Sequence, residues 1–245
     1  MKTITILDIP FINTTQREFI IILDQHIKNK EKSFVITANP EIVMKAEDDP
    51  PSFKSYINKA DYVTADGIGI ILASRMLKTA LPERVTGFDS MLKLLEIANE
   101  KQYKIFLLGA HPDTLKVTVE KVATNYPDIQ LVGYHDGYFD WDQNDIIEQI
   151  RATQPDITFV ALGVPRQEKW IAEHINQFSH GIFIGVGGSF DVIAGTVKRA
   201  PKIWRKLNLE WLYRLIKQPS RWRRMLALPL FALKIAKIKM FGTRK

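Results

Sequence analysis

An acidic residue beside two glycines is the first candidate for chemistry in this sequence. Asp66 follows a short apolar run and precedes Gly67 and Gly69. Glycines let a substrate approach the backbone closely, so the Asp66 carboxylate could serve as a general base. Asp is also a favoured N-cap residue, and capping alone would explain its position. The pattern leaves both interpretations open.

Two further turns carry candidate binding residues. Thr37 and Asn39 precede Pro40, where they act either as turn formers or as ligand contacts. The segment Gly185-Val-Gly187-Gly188 offers backbone N–H groups that favour a phosphate or permit tight packing. It is neither a Walker A loop nor a dinucleotide fingerprint, which weighs against an ATPase or a dehydrogenase. Asp191 beyond it is a candidate for binding a sugar hydroxyl or for capping the next helix.

The acidic and histidine residues do not predict a metal site. Asp140 and Asp142 have the spacing of the metal motif of many sugar-nucleotide transferases, but Asp142 immediately precedes a predicted helix start and fits an N-cap. The five histidines form no ligand pair, and the chain has no cysteine. We therefore expect no metal and no cofactor. A leaving diphosphate would then need cationic side chains, for which the candidates are Arg199, Arg214, Arg221, Arg223 and Arg224.

These candidates follow the strands of a predicted α/β fold. Short β-branched runs alternate with amphipathic stretches, the pattern of a mostly parallel Rossmann-like sheet with helices on both faces. The predicted strands are residues 3–7, 33–37, 62–64, 104–108, 130–133, 157–161 and 181–185. The predicted helices begin with a capping box at Thr15 and then cover residues 67–76, 88–101, 112–125, 143–152 and 166–177. Ligands bind at the carboxyl ends of such strands, so the polar turns should converge on one rim.

Charge divides the 245-residue chain into two parts. Residues 196–245 hold 15 Lys and Arg and one acid, Glu210, for a formal charge of +14, whereas residues 1–195 carry −7. We predict a catalytic α/β domain over residues 1–195 and a basic, amphipathic helical appendage over residues 196–245. The composition is otherwise that of a globular protein, which excludes disordered and fibrous classes.

The appendage predicts contact with phosphate-bearing surfaces. Its apolar run from Met225 to Leu233 is nine residues long, too short to span a bilayer, which takes about 20. Aromatic, aliphatic and lysine residues around that run fit a segment lying in a membrane interface. Docking on the core and nucleic-acid binding are the two alternatives. The amino-terminal residues fit no signal peptide, so we expect a cytoplasmic protein that is peripheral on the inner face of the cell membrane.

Seven ordered motifs resemble one family, the WecG/TagA/CpsF glycosyltransferases. The resemblance runs over residues 3–224 without a departure in any motif. The motifs are Thr37-Ala-Asn-Pro, Ala65-Asp-Gly, Leu81-Pro-Glu-Arg-Val-Thr-Gly, Ala161-Leu-Gly-Val-Pro-Arg-Gln-Glu, Val186-Gly-Gly-Ser-Phe-Asp, Val197-Lys-Arg-Ala-Pro and Glu210-Trp-Leu-Tyr-Arg.

The resemblance implies an inverting, metal-independent transfer of N-acetylmannosamine from a UDP donor to the 4-hydroxyl of polyprenyl-diphosphate-linked N-acetylglucosamine, as in wall teichoic acid linkage synthesis. It implies Asp66 as the base, Thr37 and Asn39 as orienting residues, and Arg84 as a substrate contact. For binding the donor it implies Gln167, Gly187, Gly188 and Asp191. For closing over the diphosphate it implies Arg214, Arg221 and Arg224.

Two alternatives to this function remain open. A relative with another donor, UDP-N-acetylmannosaminuronic acid or another UDP-hexose, would share the motifs. A nucleic-acid-binding protein would explain the basic appendage, but it would leave the polar strand ends unexplained. We therefore expect a UDP-sugar, a lipid-linked acceptor and a membrane surface as partners, and no nucleic acid. A homo-oligomer is compatible with the sequence.

Overall fold

An eight-stranded sheet forms the centre of the computed structural model, which describes residues 2–48, 52–141 and 145–241, without the Arg221 side chain. The strand order is β1-β2-β4-β3-β8-β7-β5-β6, and every pair is parallel except β1 with β2. The strands are β1 (Thr3–Ile6), β2 (Ile9–Ile12), β3 (Lys32–Ala38), β4 (Tyr62–Ala65), β5 (Lys104–Gly109), β6 (Gln130–His135), β7 (Ile157–Ala161) and β8 (Gly181–Gly185).

Nine helices connect or flank these strands within the first 195 residues, as far as the structure describes them. They are α1 (Gln16–Lys28), α2 (Pro40–Asp48), α3 (Ser52–Asn58), α4 (Ile68–Met76), α5 (Gly87–Lys101), α6 (Pro112–Asn125), α7 (Asp145–Thr153), α8 (Arg166–His174) and α9 (Ser189–Ala194). A 3-10 turn, Ile175–Gln177, extends α8.

The central strands are apolar along their whole length because helices cover both faces of the sheet. All residues of β7 and β8 are buried. Successive side chains point to opposite faces. Phe183 accordingly joins a core with Trp170 and Phe106, whereas its neighbours Ile182 and Ile184 join the second core. The predicted α/β class with helices on both faces is confirmed.

Local signals explain the helix starts that the sequence predicted. The Thr15 hydroxyl accepts a hydrogen bond from the Glu18 N–H at 3.2 Å, and the Thr15 N–H donates to the Glu18 carboxylate at 2.8 Å. This capping box satisfies two N–H groups that α1 itself cannot pair. Pro112 begins α6, where its missing N–H costs nothing.

Three elements were not predicted, namely β2, α2 and α3. β1 and β2 form a hairpin whose turn residues, Leu7 and Asp8, have positive φ values of 49° and 60°. Two-residue hairpin turns usually contain glycine or asparagine, which this turn lacks. Pro10 has no N–H to donate, so it is not typical of a strand interior. The helix α2 begins directly at Pro40, after Thr37 and Asn39, for which a turn was one of the two predicted roles.

Four helices follow residue 195 in the described part of the chain. They are α10 (Lys202–Lys206), α11 (Glu210–Lys217), α12 (Trp222–Met225) and α13 (Ala227–Phe241), with a 3-10 turn over Pro219–Arg221. α13 packs against α2 and α4, and it buries Phe231 and Ile235 there. Other apolar side chains of α13 are exposed, namely Leu230, Leu233, Met240 and Phe241. The helix is therefore apolar both where it packs on the protein and where it faces outward. Within the described ranges, no helix has both the length and the apolar character needed to cross a membrane.

Candidate active site

A cleft of about 290 Å³ lies at the carboxyl ends of β3, β4 and β8, with residues of α11 and α12 on its other side. It brings together nine of the predicted site residues, namely Thr37, Asn39, Asp66, Arg84, Gln167, Gly187, Gly188, Arg214 and Arg224. A larger cleft of about 560 Å³ at the amino ends of β7 and β8 contains none of them. The polar turns therefore converge as the parallel sheet requires.

Asp66 takes its position from backbone hydrogen bonds at the end of β4. Its N–H donates to the Ala38 carbonyl at 2.9 Å, which continues the β3–β4 pairing by one residue. Its carboxylate accepts a hydrogen bond from the Gly87 N–H at 3.3 Å. The N-cap of α4 is Gly67, which makes no side-chain cap. Asp66 thus does not cap the helix and faces the cleft.

The surroundings of Asp66 give it the pKa of a base that works near neutrality. Burial raises the pKa of its carboxyl from 3.8 to about 6, although the Gly87 N–H favours the charged form. Arg214 and Arg84 also lower this pKa, whereas the negative charge of Glu210 raises it. A carboxyl with this pKa is a stronger base than an ordinary aspartate and is still ionised at pH 7.

Thr37 and Asn39 are held at the adjoining end of β3. The Thr37 hydroxyl donates to the Gly185 carbonyl at 3.3 Å, which ties β3 to β8. The Asn39 side-chain oxygen accepts from the Ile42 N–H at 3.0 Å and so caps α2. Asn39 therefore has a structural role, because it caps α2, and it also lines the cleft.

Gly87 is required where these residues meet. A Cβ atom at this position would lie 2.7 Å from the Thr37 hydroxyl oxygen, too close for any side chain. Gly87 thus packs directly against Thr37 while its N–H donates to the Asp66 carboxylate. Gly87 was not predicted as a site residue, although it ends the motif that begins at Leu81.

The glycine turn after β8 corrects one prediction. The Gly187 N–H is not free for a phosphate, because it donates to the Gln167 side-chain oxygen at 3.0 Å. Gln167 fills the space beside Gly185, where a Cβ would come within 2.6 Å of the Gln167 nitrogen. The carboxamide of Gln167 thus stands in the wall of the cleft between the turn and α8.

Arginines from beyond residue 195 reach the cleft, each held by a carboxylate. Arg214 pairs with Glu210 at 2.5 Å, and Arg224 pairs with Glu41 at 3.4 Å. Arg199 pairs with Asp89 at 2.5 Å and lies over the Phe88 ring. The cleft therefore offers several arginines that can pair with a ligand that carries negative charge.

The remaining predicted residues lie elsewhere. Asp191 is in the first turn of α9 and receives the Thr196 hydroxyl at its backbone carbonyl, and it does not line the cleft. The Arg221 side chain and Asp142 lie outside the described residues, so their predicted roles stay predictions. No three His, Asp or Glu residues within the described ranges are grouped as a metal site would need.

Several lining residues were missed in the sequence. Glu41 lies in the first turn of the unpredicted helix α2. In the sequence, Glu210 is notable only as the single acid of a basic segment. Trp211 and Leu228 add apolar surface from the appendage. The segment after residue 195 packs against α2 and α4, and this packing brings Glu210, Trp211 and Leu228 to the strand ends.

The family model for "Glycosyl transferase WecG/TagA/CpsF family" matches residues 4–245, nearly the whole chain. The chain belongs to the WecG/TagA/CpsF family of glycosyltransferases. The fold and the converging motifs described above are therefore those of a glycosyltransferase, as the seven motifs predicted.

Curated relatives agree with this membership. A protein of Bacillus subtilis (strain 168), named N-acetylglucosaminyldiphosphoundecaprenol N-acetyl-beta-D-mannosaminyltransferase, is 43% identical over 97% of this chain and 92% of its own length. Proteins of the same name from Bacillus spizizenii and Staphylococcus aureus (strain MW2) are 37% and 39% identical, over 97% and 96% of this chain and 92% and 93% of their own lengths.

The charges around Asp66 predict the pH dependence of this glycosyltransferase. We expect kcat/KM to rise with pH up to about 6, as Asp66 ionises, and then to level off. Glu210→Gln removes a negative charge that raises the Asp66 pKa, so the acid limb should move to lower pH. The measurement is the pH profile of kcat/KM, with Glu96→Gln on exposed α5 surface as the control. An acid limb that stays in place in Glu210→Gln would contradict this electrostatic account.

Proposed function

We propose that this chain transfers N-acetylmannosamine from a UDP donor to the 4-hydroxyl of polyprenyl-diphosphate-linked N-acetylglucosamine. The observation that carries the proposal is the cleft, in which a carboxyl of raised pKa lies near arginines from a separate segment. The names of the relatives supply the acceptor and the sugar. The product would be the linkage disaccharide of wall teichoic acid.

The proposed reaction is a single displacement. The Asp66 carboxylate takes the proton of the acceptor hydroxyl as its oxygen bonds to the anomeric carbon. The bond from that carbon to the diphosphate breaks, and its electron pair leaves with UDP. Attack from the face opposite the leaving group inverts the anomeric centre. General-base assistance of this kind contributes about 10²–10⁴-fold.

The other cleft residues are assigned by position. Thr37 and Asn39 stand beside Asp66 and orient the acceptor or the transferred sugar, with Arg84 as a further substrate contact. Gln167, Gly187 and Gly188 hold the donor from the β8 side. Asp191, in the first turn of α9, is retained as a donor-binding residue because it lies close to Gly188. A Cβ atom at Gly188 would lie 3.4 Å from the Asp191 carboxylate.

The arginines of the appendage neutralise the leaving diphosphate. In our proposal residues 1–195 are the catalytic domain, and the appendage of residues 196–245 closes over it. Arg214 and Arg224 already face the cleft, while Arg221 is assigned with them only because the family resemblance implies it. Charge that develops on the diphosphate is best stabilised by cations fixed in place before reaction. No metal is assigned to this step.

The outer surface of the appendage is proposed to rest on the membrane that carries the acceptor. Trp222, Leu226, Leu230, Leu233, Met240 and Phe241 are large apolar side chains exposed on α12, α13 and the turn between them. Lysines and arginines lie among them, which suits an anionic lipid surface. Activity would thus be peripheral to the inner face of the membrane. A UDP-hexose other than UDP-N-acetylmannosamine is the alternative donor.

A donor panel tests the reaction. We expect UDP release in detergent micelles from UDP-N-acetylmannosamine only when lipid-diphosphate-linked N-acetylglucosamine is added, with EDTA present. Asp66→Asn should lower this rate about 10²-fold or more, because the amide cannot accept the proton. Turnover with a different UDP-sugar would change the donor and keep the reaction class. Loss of activity in EDTA with recovery in manganese would overturn metal independence and bring Asp140 and Asp142 back into consideration.

Two matched arginine substitutions test whether the appendage stabilises the leaving diphosphate. Arg214→Ala should lower kcat about 10²-fold at pH 8, where Asp66 is ionised in both proteins, because one cation is lost from the leaving group. Arg223→Ala is the control, since Arg223 lies over Trp222 and does not line the cleft. Equal rates for Arg214→Ala and Arg223→Ala would contradict the proposed role of Arg214.

A vesicle experiment tests the membrane surface. Leu230 and Leu233 are 52% and 68% exposed, so the double change to Glu should abolish co-sedimentation with phosphatidylglycerol vesicles without disturbing the core. Ile21→Glu is the control because Ile21 is 58% exposed on α1. Undiminished sedimentation of the double variant would exclude this surface, and tight, salt-dependent binding to duplex DNA would favour the nucleic-acid alternative.

A further inference from the structure

A buried glutamate beside the cleft has no role in the mechanism described above. Glu168 is the third residue of α8 and is 1% exposed. One of its carboxylate oxygens, Oε2, is buried without a hydrogen-bond partner. Buried acids with an unpaired oxygen cost free energy of folding, so they are rare unless another requirement keeps them. Glu168 does not line the cleft, so it would not touch a substrate.

The other carboxylate oxygen of Glu168 makes one side-chain contact. Oε1 accepts a hydrogen bond from Gln167 Nε2 at 2.8 Å, inside the protein. Gln167 is itself 3% exposed and lines the cleft. The glutamate is therefore connected to the site through the carboxamide of its neighbour.

This contact fixes which way the Gln167 carboxamide points. Its nitrogen must face Glu168, which only accepts hydrogen bonds when ionised, and its oxygen must face the Gly187 N–H, which only donates. A rotated carboxamide would place two donors together at Gly187 and two acceptors together at Glu168. Both contacts therefore favour a single orientation.

The same carboxamide holds the turn after β8. Gly187 has a φ of 51°, and a Cβ atom at this position would meet nothing within 4 Å. The Gly187 N–H bond to Gln167 is thus the contact that ties the middle of the turn to α8. The adjoining Gly185 leaves the space that the Gln167 nitrogen occupies.

We infer that Glu168 is a positioning residue for donor binding: its carboxylate orients the Gln167 side chain, which in turn holds the Gly187 turn in the conformation that receives UDP. The inference rests on the proposed function, because it takes this turn as part of the UDP-sugar site. Glu168 acts through Gln167 and makes no contact with the donor. The unpaired oxygen is the stability cost of that arrangement.

The test is UDP binding by the full chain at pH 8, measured by isothermal titration calorimetry. Glu168→Leu keeps an apolar side chain of similar size in the buried space but removes the acceptor, and it should weaken UDP binding about ten-fold. Glu168→Gln retains an acceptor oxygen and should stay within about three-fold of the wild-type protein. Gln167→Leu, alone and combined with Glu168→Leu, completes a double-mutant cycle.

Non-additivity distinguishes positioning from a general structural role. If Glu168 acts through Gln167, the double variant should bind UDP within about two-fold of Gln167→Leu alone. The melting temperature of Glu168→Leu should lie within about 3 °C of the wild-type value, because the lost hydrogen bond is offset by removal of the unpaired oxygen.

Three results would overturn the inference. They are wild-type UDP affinity in Glu168→Leu, additive losses in the double variant, and a melting temperature of Glu168→Leu that falls by much more than 3 °C. Failure of the wild-type protein itself to bind UDP would instead refute the proposed function, and the inference with it.

Discussion

The parallel pairing of β3 with β4 is the constraint on which the site depends. It places Ala38 opposite Ala65, and the Asp66 N–H extends the same ladder by donating to the Ala38 carbonyl. Because side chains alternate along a strand, this register decides which residues reach the rim together. The Asp66 carboxyl then accepts a hydrogen bond from the Gly87 N–H, and burial raises its pKa to about 6. A shift of the register by one residue would separate the Asp66 carboxyl from Thr37 and Asn39.

Opposite charges join the basic appendage to the acidic body around this site. Lys234 pairs with Glu47, and Arg224 pairs with Glu41, so two positions of α2 hold the residues that follow 195. Within the cleft Arg199, Arg214 and Arg224 each pair with a carboxylate, and an anionic substrate can compete for these arginines. The same surface leaves large apolar side chains of α13 exposed toward the outside. One set of ion pairs thus connects the cleft, α2 and the residues that follow 195.

The sequence predicted the features that rest on local patterns. Apolar runs located seven of the eight strands, and the capping box at Thr15 placed the start of α1. The family motifs contain eight of the nine predicted site residues that the cleft brings together, and Arg224 lies in the basic segment after the last motif. The β1–β2 hairpin escaped prediction because Leu7 and Asp8 take positive φ without glycine. The roles of Glu41 and Gly87 depend on contacts between distant segments, and no local pattern specifies those contacts. The prediction of a free Gly187 N–H was wrong for the same reason, because the Gln167 side chain that accepts its hydrogen bond belongs to another element.

A crystal structure of the full chain with UDP tests the central claim most directly, because it locates the leaving group relative to the base and the appendage. The account predicts UDP in the cleft at the carboxyl ends of β3, β4 and β8, beside the Gln167 carboxamide. Its diphosphate should lie within hydrogen-bond distance of Arg214 or Arg224, and open space for a sugar should separate it from Asp66. A diphosphate bound away from the appendage arginines, or UDP in the larger cleft at the amino ends of β7 and β8, would contradict the account.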